Sequence, residues 1–310
     1  MIKFIKSIPM ATCGISLALA ALGNLLLLPF GQAVRYICGV LSLVVLIVFA
    51  IKLIFDSPHA KEELKTPVPL SVLPTATMAI MLLSTYIRPH IPNVALIIWY
   101  IAIIAHVLIM LVFVKKFVIG FQLGTVFPSW FIAGVGIVTA SVTAPAMNAL
   151  FIGQIAFWVG FILYFATLPL VILRMNKVRI FPEPARKTVA IFTAPMSLLI
   201  VGYFSSFVSQ DQGNPTLVYI MLAIATVSYI YVSFMMFSLL KIKFYPTYAA
   251  FTFPYVISAL AFRLGANFLA GRHDFDFLIT IADLTMWVAV VAVVFVLIHY
   301  IKYFRFWLKF

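Results

Sequence analysis

The polar chemistry of this 310-residue chain rests on a few hydroxyls and prolines set in long apolar runs. Thr12, Ser16, Thr75, Thr139, Thr193 and Thr252 each lie inside such a run, and Pro74, Pro145, Pro195 and Pro254 interrupt several of the same runs. A proline removes one helical hydrogen bond and bends the axis, freeing backbone groups at the bend. Hydroxyls and freed backbone donors can hold an anion weakly, and weak holding permits fast exit. A second reading stays open residue by residue, because Ser and Thr in apolar helices commonly bond a carbonyl one turn back on their own helix. The stretch Phe251-Thr252-Phe253-Pro254 concentrates these features and puts the Phe253 ring at a bend.

Other chemistries are not encoded. No Walker sequence or Gly-rich phosphate loop is present, and no soluble domain is left over that could use ATP. The hydroxyl-bearing runs hold almost no ionisable groups, whereas a proton relay needs carboxylates or histidines there. Cys13 and Cys38 fall inside the first two apolar runs, where a thiol behaves as a small hydrophobe, so no disulfide, metal site or redox role is expected. The expectation is a chain that is not an enzyme and needs no cofactor.

The elements that must position these residues follow from composition. With 65% hydrophobic and 9% charged residues and a mean hydropathy of +1.17, there is too little polar surface to coat a soluble globule. The chain reads as an all-α integral membrane protein, since its apolar runs are helix-length and do not alternate as barrel strands must. A formal net charge of +13 would suggest nucleic acid in a soluble domain. Here the basic residues cluster between apolar spans and read as topology signals, so the expected partner is the lipid bilayer and not nucleic acid. The start, MIKFIKS, has the look of a signal peptide, but the apolar run continues to Phe30, beyond a signal's usual core of ~7–15 residues.

Ten spans are expected, at about 8–30, 33–55, 68–87, 94–114, 129–148, 154–173, 188–208, 216–240, 248–270 and 277–300. They form one domain over 1–310, built as five hairpins, the first closed by a tight turn at Gly31 and Gln32. Of the 21 Lys and Arg, all but Arg35, Arg88, Arg263 and Arg272 fall on the side of the termini. By the positive-inside rule both termini are cytoplasmic, in the cytoplasmic (inner) membrane. The tail, with Tyr303, Phe304, Phe306 and Trp307 among Lys302, Arg305 and Lys309, resembles an interfacial anchor.

Odd and even spans differ. Odd spans carry the interior prolines Pro74, Pro145, Pro195 and Pro254 and are rich in small and hydroxyl residues; even spans contain only Pro169 and are bulky and apolar. Bulky faces suit lipid, while small residues and bends need protein or water around them. This predicts an inner ring of odd helices inside an outer ring of even ones; a solid bundle packed by small residues is the competing arrangement.

Four segments carry a family resemblance: IPMATCGISLALAALG from Ile8, FPSWFIAGVGIVTAS from Phe127, RKTVAIFTAPMSLLIVGY from Arg186 and FTFPYVISALAF from Phe251. They resemble spans 1, 5, 7 and 9 of the tellurite-resistance/dicarboxylate transporter family, which includes bacterial TehA and the slow anion channels of plant guard cells. The resemblance covers essentially the whole chain. It implies a homotrimer in which each protomer contains its own pore, formed by the five inner helices and closed by a phenylalanine of span 9, here Phe253. Its pore lining falls on Ala11, Thr12, Gly14, Ser16, Pro74, Thr75, Thr139, Thr193, Pro195, Thr252 and Pro254. The family's first span usually has glycine where this chain has Ala11, whose methyl would press on the Phe253 ring. The implied activity is passive conduction of inorganic or small organic anions. The alternative is a secondary transporter for dicarboxylate, sulfite or tellurite-related oxyanions.

Three ionisable residues have competing readings. His106 is either a neutral histidine bonded to a neighbouring helix or a proton-coupling site. Arg263, about 15 Å beyond Phe253, attracts anions at an outer mouth, pairs with Asp283, or reaches to headgroups. Asp283 alone would repel anions, so pairing is its expected state.

Overall fold

The computed structural model describes residues 2–178, 181–270 and 277–308. Arg179, Arg272 and Lys309 lie outside the described residues, as does the Trp307 side chain. Among the described residues every regular element is helical. Nine helices there are long and apolar enough to cross a membrane: α1 Thr12–Phe55, α2 Pro67–Ile87, α3 Pro92–Val118, α4 Trp130–Met147, α5 Leu150–Lys177, α6 Glu183–Gln210, α7 Pro215–Leu239, α8 Pro246–Ala270 and α9 Phe277–Phe306.

Helix α1 is two of the expected spans joined. Its 44 residues would measure about 66 Å if straight, twice a hydrocarbon core of ~30 Å. Gly31 breaks it, at φ 78° and ψ −176°, a backbone conformation that essentially only glycine adopts. The Ser16 hydroxyl donates to the Ser42 carbonyl at 2.9 Å, although a straight helix would hold these residues about 39 Å apart. The chain therefore doubles back at one residue, and the two arms lie antiparallel.

Burial divides the helices into two groups. The most apolar stretches of α2, α4, α6 and α8 are 67 to 78% buried, against 22 to 33% for α3, α5, α7 and α9. Within α1 the arm from Thr12 to Gly23 is wholly buried, while the second arm exposes Ile37, Val40, Leu43, Val44, Ile47 and Ile54. Exposed rows of such side chains would be untenable in water and match a lipid surface. The buried group also packs in sequence: α1 on α2, α2 on α4, α4 on α6, α6 on α8, and α8 back on α1. The lipid-facing helices α3, α5, α7 and α9 pack behind α2, α4, α6 and α8 respectively.

The two groups also differ in continuity. The exposed helices keep α geometry over Pro92–Phe113, Leu150–Lys177, Pro215–Leu239 and Phe277–Leu308. Each buried helix is instead broken into segments. Helix α2 is Pro67–Val72 then Pro74–Ile87, and α4 is Trp130–Val135 then Val138–Met147. Helix α6 opens with one α turn, Glu183–Arg186, runs as a 3-10 helix over Lys187–Thr193 and returns to α as Ala194–Ser206; α8 passes from a 3-10 helix over Pro246–Phe251 to the α-helix Phe253–Ala270. The buried arm of α1 follows a short helix, Ile2–Ser7, across a break at 8–11. Pro74, Pro195 and Pro254 each stand in the first turn of a later segment, where the missing N–H is one that a helix start leaves unsatisfied anyway. Pro145 lies within its helix near the end, where Asn148 closes α4 in the left-handed conformation. The polar stretch after α1, expected as loop, contains the short helix Ser57–Glu63.

Candidate functional site

The five breaks meet. Residues beside them, Ala11 and Gly14, Val72 and Thr75, Gly136, Ala194 and Pro195, Phe253 and Pro254, line one cavity of about 260 Å³. Its wall also includes Pro9, Glu63, Thr188 and Thr247, which lie toward the end of the bundle that holds the termini. That both termini share this end follows from the Tyr303 hydroxyl, which donates to the Ser7 carbonyl at 2.9 Å.

The local reason Phe253 stands in this wall is Thr252. Its backbone, at φ −99° and ψ −85°, is neither helical nor extended, and its Oγ1 donates to the Ala249 carbonyl at 2.6 Å. The 3-10 turn thus closes on itself, and a new helix begins at Phe253 with Pro254 behind it. Phe251, two residues earlier, packs edge-on to the Tyr248 ring at 5.2 Å. Among the described residues no aromatic ring packs on Phe253, which remains 8% exposed toward the cavity.

Of the residues singled out in the sequence, the structure brings Ala11, Gly14, Thr75, Pro195, Phe253 and Pro254 together in this wall, and leaves Thr12, Ser16, Pro74, Thr139, Thr193 and Thr252 out of it. The hydroxyls divide by partner. Thr75 donates to the Val72 carbonyl at 2.8 Å, Thr193 to Ala190 and Thr252 to Ala249, all one turn back, whereas Ser16 crosses to Ser42. The Oγ1 atoms of Thr12 and Thr139 are buried and have no partner among the described residues. The other wall hydroxyls are also spent on carbonyls, Thr188 on Ala185 and Thr247 on Pro184. The remaining wall is almost wholly apolar, the kind of constriction that excludes ions by drying.

Ala11 and Phe253 both line the cavity. A methyl on Gly14 would lie 3.6 Å from the Ala249 Cβ and 4.0 Å from Thr75 Oγ1, ordinary contact distances. Glycine at 14 therefore widens the cavity and is not needed for packing. Gly136 is different: a Cβ there would come within 2.4 Å of the Ile132 carbonyl oxygen and 2.9 Å of both His106 Cε1 and Met78 Sδ. His106 itself bonds across helices, its Nδ1 lying 2.8 Å from Thr77 Oγ1.

The charged groups at and beside the cavity carry no motif. Lys52, 1% exposed, bonds Glu63 of the wall at 2.5 Å and lies 4.0 Å from Asp56. Lys187, fully buried next to Thr188, donates to the Lys243 carbonyl and sits 3.3 Å from the centre of the Tyr248 ring. Only their position at span ends in the sequence pointed to them. At the opposite end Arg263 pairs with Asp283, and neither lines the cavity.

A family model described as voltage-dependent anion channel, SLAC1, matches residues 5–301. No curated protein matches the chain.

Proposed function

Because the chain belongs to the voltage-dependent anion channel family, we propose that it passes small anions down their gradient along the faces shared by the five buried helices, with the Phe253 ring closing the path. The resemblance drawn from the four sequence segments agrees with this membership. The observation that supports the path is the convergence of five helix breaks on one cavity with Phe253 in its wall. Because the wall hydroxyls are bonded to carbonyls, selection there rests on drying and backbone dipoles. Lys and Arg gathered at the end of the termini raise anion concentration at that mouth within a Debye length of ~8–10 Å.

The same reading puts both termini in the cytoplasm, the protein in the cytoplasmic membrane, and three copies together, each with its own path. Charge asymmetry supports the orientation. Enclosure of the cavity by helices of a single chain supports one path per copy.

The test is current through the purified protein in bilayers. Phe253→Ala raises conductance roughly tenfold, the effect of lowering a barrier by ~1.4 kcal/mol. Unchanged current removes Phe253 as the closure. Reversal potentials that follow the anion gradient alone support a channel. Flux of dicarboxylate, sulfite or a tellurite-related oxyanion that stops without a proton or sodium gradient assigns the transporter reading instead.

A further inference from the structure

A second cavity, of about 440 Å³, lies at the end of the bundle away from the termini and is lined by Asn24, Arg35, Thr85, Arg88 and Thr143 among others. It is lined from α1, α2 and α4, three of the five helices around the first cavity. Leu17, Met78 and Gly136 line the first; Asn24, Thr85 and Thr143, each seven residues further along the same helix, line the second. Seven residues is close to two turns, so Leu17 and Asn24, and Met78 and Thr85, each share a helix face about 10 Å apart, while Gly136 stands at the break before the segment that holds Thr143. On that segment, one turn before Thr143, lies Thr139, 1% exposed and with no partner for its hydroxyl among the described residues.

The chemistry of this second cavity is cationic. Among the described residues no carboxylate lines it and none pairs with Arg35 or Arg88, both of them partly buried residues. Both groups are fixed by neutral acceptors. Arg35 Nε donates to Asn24 Oδ1 at 3.0 Å, Arg35 Nη2 reaches the Thr85 carbonyl and hydroxyl at 3.4 Å, and the group lies 4.3 Å from the centre of the Tyr86 ring. Arg88 Nε donates to the Ala146 carbonyl at 3.2 Å and Nη1 to that of Pro92. This leaves Arg35 Nη1 and Arg88 Nη2 as donors without a partner among the described residues. Two partly buried cations held by neutral acceptors favour occupation by an anion. Planar guanidinium groups match oxygen pairs better than a point anion.

We propose that Arg35 and Arg88 form a binding site for a small oxyanion such as nitrate, in line with the Phe253 cavity and about two helix turns from it. Binding at the site stands without the conduction reading; its use as the entry to the path rests on that reading.

The experiment titrates the full-length protein in detergent with 15N-nitrate, reading line broadening, with chloride as competitor. Saturable binding is expected, weakened roughly tenfold or more by Arg35→Gln and by Arg88→Gln, a loss of one charge-assisted pair. Arg88→Lys keeps the charge but not the fork, so it lowers nitrate affinity more than chloride affinity. Ala146→Phe keeps both arginines and fills the cavity from an exposed wall position, so it excludes nitrate without relying on either arginine for folding. Nitrate affinity unchanged in both Gln variants, or in Ala146→Phe, overturns the site. Bilayer currents separate the two readings: nitrate binding without current sinks the channel and leaves the site, whereas current without binding sinks the site and leaves the channel.

Discussion

Ser16 and Ser42 exchange hydrogen bonds across the first hairpin, Ser16 Oγ to the Ser42 carbonyl at 2.9 Å and Ser42 Oγ to the Ser16 carbonyl at 2.7 Å. Both residues are fully buried. Side-chain hydrogen bonds between membrane helices are worth about 0.6 kcal/mol on average. Ser42→Ala is accordingly expected to lower the melting temperature by a few degrees and leave conductance unaltered. A conductance change without a stability change would contradict the purely structural role given to Ser16.

The two glycines of the cavity wall separate cleanly. Gly14→Ala meets ordinary contacts and gains helix propensity of ~1 kcal/mol, so the protein stays as stable or gains stability, while conductance of a Phe253→Ala channel falls. Gly136→Ala drives a methyl into the Ile132 carbonyl, His106 and Met78, an overpacking that costs ~1–3 kcal/mol. Thermal unfolding of the two variants side by side checks this; equal stability would refute the difference.

Lys52 neutralises Glu63 at the cavity wall. Lys52→Met leaves a carboxylate facing the anion path, and repulsion of about 1 kcal/mol, the order for like charges at an effective dielectric of ~20, lowers current roughly fivefold. Lys52→Met combined with Glu63→Gln recovers most of that loss. Single-channel conductance reads both; an unchanged Lys52→Met current would show that Glu63 does not face the path.

Arg263 and Asp283 neutralise each other and stand apart from both cavities. Partly exposed pairs contribute ~0–1 kcal/mol, so Arg263→Gln changes stability by less than that and conductance by less than about twofold. A large fall in anion current would return Arg263 to the outer mouth.

Much of this was readable from sequence because it depends on composition and period. Bulky even spans and small, proline-bearing odd spans map onto the exposed, continuous helices and the buried, broken ones. Phe253 could be placed beside its cavity because Pro254 fixes where the second segment starts. The hydroxyls were less legible. Spacing puts Thr75 and Thr139 on helix faces alike, but a rotamer decides that Thr75 bonds Val72 while Thr139 bonds nothing among the described residues. Arg35 and Arg88 entered the sequence reading only as charge counts, since they meet in one cavity only because Arg35 reaches across to Thr85, 50 residues on. Lys52 and Glu63 were likewise invisible as a pair, because the helix between them is short and polar and has no apolar period to announce it.

The single-residue reversal at Gly31 has a mechanical consequence. With no loop to give slack, the lipid-facing arm of α1 and the arm that lines the cavity cannot slide independently along the membrane normal. A bilayer that thins or thickens exerts its mismatch force on the outer arm, at a cost of fractions of a kcal/mol per Å. Because the reversal takes a single residue, any displacement of the outer arm along the membrane normal is passed to the arm that carries Gly14.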